Sequence, residues 1–163
     1  MGMGHFRMAE LLLLGLYPAL LCTSIGADLA RRIIPNAVVI CLIAAFAAVT
    51  VLIPVPDLLF RLAAAGTVTA LGFSLFAEDI IGAGDAKLAG AIVLWVDPLH
   101  LPLFVLATGT IGALLGIAAA ARHRLADAAG AELPERHRTS LPYGVALAGA
   151  GLIIHPLSSL LHP

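Results

Sequence analysis

The sequence predicts an all-α membrane protein, a polytopic bundle of about six transmembrane helices. Of its 163 residues, 61% are hydrophobic and only 12% are charged, and the mean hydropathy is +1.04. Soluble domains, by comparison, carry about 25% charged residues. Apolar stretches of roughly 20 residues recur along the chain, and each is long enough to cross a hydrocarbon core of about 30 Å. We therefore expect a single membrane-embedded domain over residues 1–163, with the lipid bilayer as its surroundings.

Prolines and polar residues divide the chain into six apolar spans. We place the spans at residues 9–27, 36–53, 58–77, 86–96 and 101–121, with a sixth that begins near Leu141. Pro18 predicts a kink in the first span, and Arg61 is expected to extend its charged end to the membrane interface. The polar residues 122–139 predict a loop, and His155 is expected at the interface near the end of the sixth span.

The fourth span is short, because its residues cover only about 16 Å at 1.5 Å per residue. Either this helix is a partial one, or the loop before it dips into the membrane, where surrounding protein makes non-helical backbone tolerable. The sequence leaves both arrangements open.

Positive charge is distributed unevenly between the two predicted faces. Of the 9 Lys and Arg residues, only Arg7 and Arg61 fall at one face. The others lie in loops of the opposite face: Arg31, Arg32, Lys87, Arg122, Arg124, Arg136 and Arg138. The positive-inside rule makes that face cytoplasmic, in a multi-pass protein of the inner membrane with both termini outside. A net charge of −1 provides no basic face for nucleic acid.

Two acidic residues lie at this cytoplasmic face, each beside an apolar span. Asp85 follows two glycines in Gly82-Ala83-Gly84-Asp85-Ala86-Lys87, and Asp28 ends the first span. Glycine permits tight turns and close backbone approach. Each aspartate also has an ordinary explanation: Asp85 as the N-cap of a helix that starts at Ala86, and Asp28 as the partner of arginines three and four residues later. Two carboxylates at one membrane face nevertheless indicate chemistry.

The two stretches together resemble the prepilin peptidases, which are membrane aspartic proteases of the GxGD type. The stretch from Asp28 to Ile34-Pro35-Asn36 precedes the Gly82–Lys87 stretch in the order found in that family. The resemblance implies that Asp28 and Asp85 are catalytic and that five further residues shape the site: Gly82, Gly84, Lys87, Pro35 and Asn36. Pro142-Tyr143-Gly144 resembles a turn near the last helix of the family, and it is either part of the site or a simple helix start with an interfacial tyrosine.

The same resemblance implies the substrate and the partners. The substrate would be a prepilin, with a basic leader followed by an apolar helix, cut at the cytoplasmic boundary of the membrane. The chain is similar to the short branch that serves Flp or Tad pili, with no methyltransferase domain and no cofactor. Pilus assembly machinery is a candidate partner.

Two carboxyl groups can hydrolyse a peptide bond when one, ionised, takes a proton from water and the other, neutral, polarises the carbonyl. Asp85 at a helix N-terminus would be the base and Asp28 near a helix C-terminus the acid, because the helix dipole favours a carboxylate only at the N-terminus. Arg31 and Arg32 argue against this assignment, since they favour an ionised Asp28. The assignment therefore stays open, and the pair is expected to titrate as one unit.

Two other classes of function remain as alternatives. In a small ion-coupled transporter the acids would carry protons or bind a cation, and in a scaffold subunit of a secretion or pilus assembly they would be expendable. No metal site is predicted, because the histidines lack the H-E-x-x-H spacing and Cys22 and Cys41 form no C-x-x-C pair.

Overall fold

A computed structural model describes residues 3–129 and 142–160. Within these residues the chain is helical, and no strand is found. The helices are α1 (Met3–Glu10), α2 (Tyr17–Arg31), α3 (Asn36–Leu52), α4 (Leu58–Ala77), α5 (Ala83–Val93), α6 (Leu101–Ala128) and α7 (Tyr143–Ile154). Short 3-10 turns lie at Pro98–His100 and His155–Leu157. The prediction of an all-α helical bundle is confirmed.

The first span is one continuous helical run in which α1 and α2 are joined by a π-helical segment, Leu11–Leu16. Pro18 lies in the first turn of α2. Proline has no N–H for the carbonyl four residues earlier, and the wider π-helical turns just before it accommodate that missing bond. The sequence predicted a kink at Pro18, and the structure has a π-helical segment directly before it.

Within residues 3–129 and 142–160, three helical runs are long and apolar enough to cross a membrane: Arg7–Arg31, Leu58–Ala77 and Pro98–Ala126. Two shorter apolar helices accompany them, at Asn36–Leu52 and Tyr143–Leu157. With the short helix α5, they make six helical segments in the order predicted.

Helix α5 lies at the centre of the bundle, packed against α3, α4 and α7. Leu88 and Ile92 are fully buried, and Gly90 is buried as well. On α4, Gly72 faces Ala86 so closely that a Cβ at residue 72 would lie 2.8 Å from the Ala86 Cβ. The 11 residues of α5 cover only about 16 Å, which is about half of a hydrocarbon core of about 30 Å. The surrounding helices α3, α4 and α7 therefore hold the ends of α5.

Arg61 is buried inside the bundle, so the prediction that it extends to the interface is wrong. The residue is 1% exposed and forms an ion pair with Asp97, just beyond the C-terminal end of α5. Its guanidinium also donates to the carbonyl oxygens of Pro56 (3.1 Å) and Leu94 (3.3 Å). These partners satisfy the charge internally, and they fasten the start of α4 to the end of α5.

Two further expectations are corrected. Residues 122–128 belong to α6, which is apolar for most of its length and continues to Ala128. The rest of the predicted loop, residues 130–139, lies outside the described residues. The same is true of the positions of Arg136, Arg138 and Leu141. His155 is buried rather than interfacial, with its ring centroid 4.7 Å from that of Tyr17. Aromatic stacking inside the bundle explains its burial.

Candidate active site

Asp28 lies on the last turn of α2 and directs its carboxyl group at the start of α7. The residue is 5% exposed, and its Oδ2 accepts a hydrogen bond of 3.0 Å from the backbone N–H of Val145. That N–H also faces the carbonyl oxygen of Pro142 at 3.2 Å. The first N–H groups of a helix lack full intrahelical partners, and a charge-assisted bond to one of them stabilises an ionised carboxylate.

Gly144 allows α7 to approach Asp28 this closely. A Cβ at residue 144 would lie 2.9 Å from Oδ2 of Asp28 and 2.8 Å from Cδ1 of Ile34. Any larger residue would therefore have to displace one of these groups. The absence of a side chain at residue 144 is a condition for the observed hydrogen bond.

Asp85 is the third residue of α5, and Gly82 is the N-cap. The Asp85 Oδ2 accepts a bond of 3.3 Å from the backbone N–H of Gly82, the back-bonding half of a capping box. The prediction that α5 starts at Ala86 with Asp85 as its N-cap is therefore wrong. An acidic residue in the first turn of a helix is stabilised by the positive end of the helix dipole. This favours a helix that begins at Ala83, with Asp85 in its first turn.

Ile34, which follows Asp28 in the chain, packs against the segment that carries Asp85. The residue is 8% exposed, and a Cβ at Gly84 would lie 3.3 Å from the Ile34 Cβ. The same side chain packs against Gly144. Gly84 is therefore needed for a close approach between segments, since no positive φ is found at the glycines of this motif.

The remaining motif residues meet at the start of α3. Pro35 is the N-cap of α3, and its fixed φ of −63° suits the turn that separates α2 from α3. Asn36, the first residue of α3, faces Lys87 on α5, with 3.4 Å between Nζ and Oδ1. The two segments that carry the aspartates are thus connected by a polar contact as well as by Ile34.

An open cavity of about 960 Å³ lies between these elements. Both Asp28 and Asp85 line it, together with Gly82, Gly84, Lys87 and Asn36. Four other polar side chains line it as well: Arg32, Asp79, His123 and Tyr143. The structure therefore brings six of the seven predicted site residues to one cavity, and Pro35 lies beside it in the chain.

The pKa of Asp85, in the first turn of the short helix α5, is raised to about 6. Burial is the larger cause, and the negative charge of Asp28 is the second; the N–H of Gly82 acts in the opposite direction. A like charge raises a carboxyl pKa only when it is nearby. The negative charge of Asp28 therefore contributes to the raised pKa of Asp85.

The model of the type IV leader peptidase family matches residues 15–117, which is more than half of the 163 residues. The chain belongs to the type IV leader peptidase family. It is therefore a prepilin leader peptidase, a membrane enzyme whose substrates are pilin precursors. No curated protein and no solved structure gives a significant match.

The part of this leader peptidase matched by the family model contains α2 to α5 and most of α6. Both aspartates lie inside it. Helix α7, whose first turn contacts Asp28, lies beyond it.

Some residues of the leader peptidase cavity were missed by sequence reasoning. His123 was assigned to a loop, although it lies on α6. Asp79 is not among the predicted site residues, and the backbone N–H of Val145 has no sequence signal at all. The one available signal was Pro142-Tyr143-Gly144, whose glycine follows a helix-starting proline, and Tyr143 does line the cavity.

Proposed function

We propose that this leader peptidase removes the leader of prepilins with an Asp28/Asp85 pair that activates water. The observation that carries the proposal is the convergence of two carboxyl groups, from α2 and α5, on one cavity of about 960 Å³. Different helices supply the two groups, and α5 contacts the turn after Asp28 through Ile34 and the start of α3 through the Lys87–Asn36 contact. A cavity of this size accommodates an extended peptide segment, since ligand pockets measure about 300–1,000 Å³.

The contacts of the two carboxyl groups favour the opposite roles from those suggested by helix ends. Asp28 accepts a bond from the N–H of Val145 in the first turn of α7, which favours its ionised form, whereas its burial at 5% exposure favours the neutral form. Asp85 has a raised pKa of about 6, which favours its protonated form. The proposed roles are that Asp28 takes the proton from water, and that Asp85 donates a hydrogen bond to the carbonyl oxygen of the scissile peptide.

We further propose that the reaction takes place at the cytoplasmic face of the inner membrane, with Flp-type prepilins as substrates. The arginines beside Asp28 and Lys87 near Asp85 support this orientation through the positive-inside rule. A bond at the water boundary is also easier to expose than one in a membrane helix, whose carbonyl is already hydrogen-bonded. The pilus assembly machinery would receive the processed pilin.

Co-expression with a Flp-type prepilin tests the proposal. Leader removal, followed by gel mobility, is expected with the wild-type chain and is expected to be absent with Asp28→Ala or Asp85→Ala. Glu78→Ala is the matched control, because Glu78 is an exposed acid in the same loop as the GxGD stretch and does not line the cavity. Processing that persists in both aspartate variants would show that Asp28 and Asp85 are not the catalytic pair.

A further inference from the structure

A second cavity opens beside the first, on the side of the bundle formed by α4, α5 and α7. It measures about 240 Å³, and we call it the α4/α7 groove. Its walls include Leu71 and Leu75 of α4 and Leu147 of α7, and its floor includes Ala86 and Ala89 of α5. Apart from Asp85 and Tyr143 at one end, its lining residues are apolar.

The α4/α7 groove lies next to the candidate active site. Asp85 and Tyr143 line both cavities. A substrate chain that extends from Asp85 toward the apolar side chains of α4 and α7 therefore enters the groove.

The groove also faces the bilayer. Leu71 is 60% exposed and Leu75 is 43% exposed, and both lie on α4, one of the three helices long enough to cross the membrane. The volume is below the roughly 300 Å³ at which small-molecule pockets begin. A few side chains from one face of a helix fit such a space, and the small alanines of the floor permit close helix approach.

We propose that the α4/α7 groove binds the apolar membrane helix that follows the scissile bond of the substrate. This inference rests on the proposed function, because it assumes that the bond to be cut lies at Asp85. The groove would then hold the first turns of that helix while the residues before it extend through the larger cavity. Substrates with an apolar helix would gain affinity that a short soluble peptide with the same cleavage sequence does not.

The test compares two substrates of the purified full-length enzyme in detergent. One is a complete prepilin with its apolar helix, and the other is a short peptide that contains only the leader junction. Leu71→Trp fills the groove from its exposed wall. Leu62→Trp is the matched control, because Leu62 is 50% exposed on α4 and does not line the groove. At about 3.6 residues per turn, a separation of nine residues places Leu62 on the side of the helix opposite Leu71.

We expect Leu71→Trp to lower the ratio of kcat/KM for prepilin to kcat/KM for peptide by about tenfold, mainly through KM, since losing one apolar contact changes discrimination by about 10–200-fold. Leu62→Trp is expected to leave the ratio unchanged. A photoreactive benzophenone side chain at residue 71, but not at residue 62, is expected to crosslink to the apolar helix of purified prepilin.

An unchanged ratio with Leu71→Trp, or crosslinking of residue 71 to lipid alone, would overturn the inference. So would an equal loss with both substrates, which a lipid in the groove or a general defect would produce. These results are distinct from failure of the proposed function, in which the wild-type enzyme would cleave neither substrate or Asp85→Ala would cleave both.

Discussion

Gly144→Ala tests whether the approach of α7 to Asp28 matters for catalysis. The new Cβ would lie 2.9 Å from the Asp28 Oδ2 and 2.8 Å from the Ile34 Cδ1. The Ile34 methyl group can rotate away, but the carboxyl group can only move by lengthening its 3.0 Å bond from Val145. We therefore expect the substitution to displace one member of the proposed catalytic pair.

The expected magnitudes differ for stability and catalysis. Weakening a hydrogen bond to a charged group costs about 1.5–3 kcal/mol, and alanine recovers about 1 kcal/mol of that because it favours helix over glycine. The free energy of unfolding should therefore fall by only about 0.5–2 kcal/mol. A misplacement of about 1 Å lowers turnover by about 100-fold, so kcat should fall far more than stability.

Leader cleavage kinetics with purified prepilin, together with thermal melting, measure both quantities. Gly149→Ala is the matched control on the same helix, because its Cβ would be at an ordinary 3.4 Å from Ile111. That variant should keep wild-type kcat and should be as stable as wild type or slightly more so. Wild-type kcat in Gly144→Ala would refute the reasoning that Gly144 positions Asp28.

Two further predictions concern stability. The pKa of Asp85 is raised to about 6 from 3.8, so its contribution to stability is present below about pH 4 and is lost as the pH rises through about 6. Asp85→Asn should therefore melt at a higher temperature than wild type at pH 7.5. An equal or lower melting temperature of the variant would contradict this prediction. Arg61→Leu leaves the carboxylate of Asp97, 6% exposed, without its cation and should cost about 3–5 kcal/mol in unfolding free energy. Adding Asp97→Leu should recover part of that loss, as measured by urea or thermal unfolding in detergent, and no recovery would argue against the buried pair.

The helices themselves could be predicted from the sequence because lipid imposes simple requirements. Apolar length and proline positions located α3 and α4 closely. The polar composition of residues 122–128 was misleading, since a helix can continue past the membrane with charged residues on its surface, as α6 does. Arg61 was misplaced for a related reason: the sequence does not reveal that Asp97 returns to the same level of the bundle.

The candidate site was predictable only in part. Asp28 and Asp85 were identified by their family motif, and their convergence required a packed bundle that no local pattern encodes. The backbone N–H of Val145 is invisible to any argument from side chains, although its bond bears directly on which carboxyl group is ionised. The role of Ile34 likewise depends on two glycines that are distant in the chain.

A double-mutant comparison of Asp28→Asn, Asp85→Asn and the double variant tests the central claim most directly. Purified enzyme and a defined prepilin give kcat/KM for each, with Glu78→Gln as the control. If the two carboxyl groups act as one unit, each single variant loses nearly all activity and the double variant loses no more, because residues that act together are strongly non-additive. Substantial cleavage by either single variant, or losses that add independently in the double variant, would contradict the account.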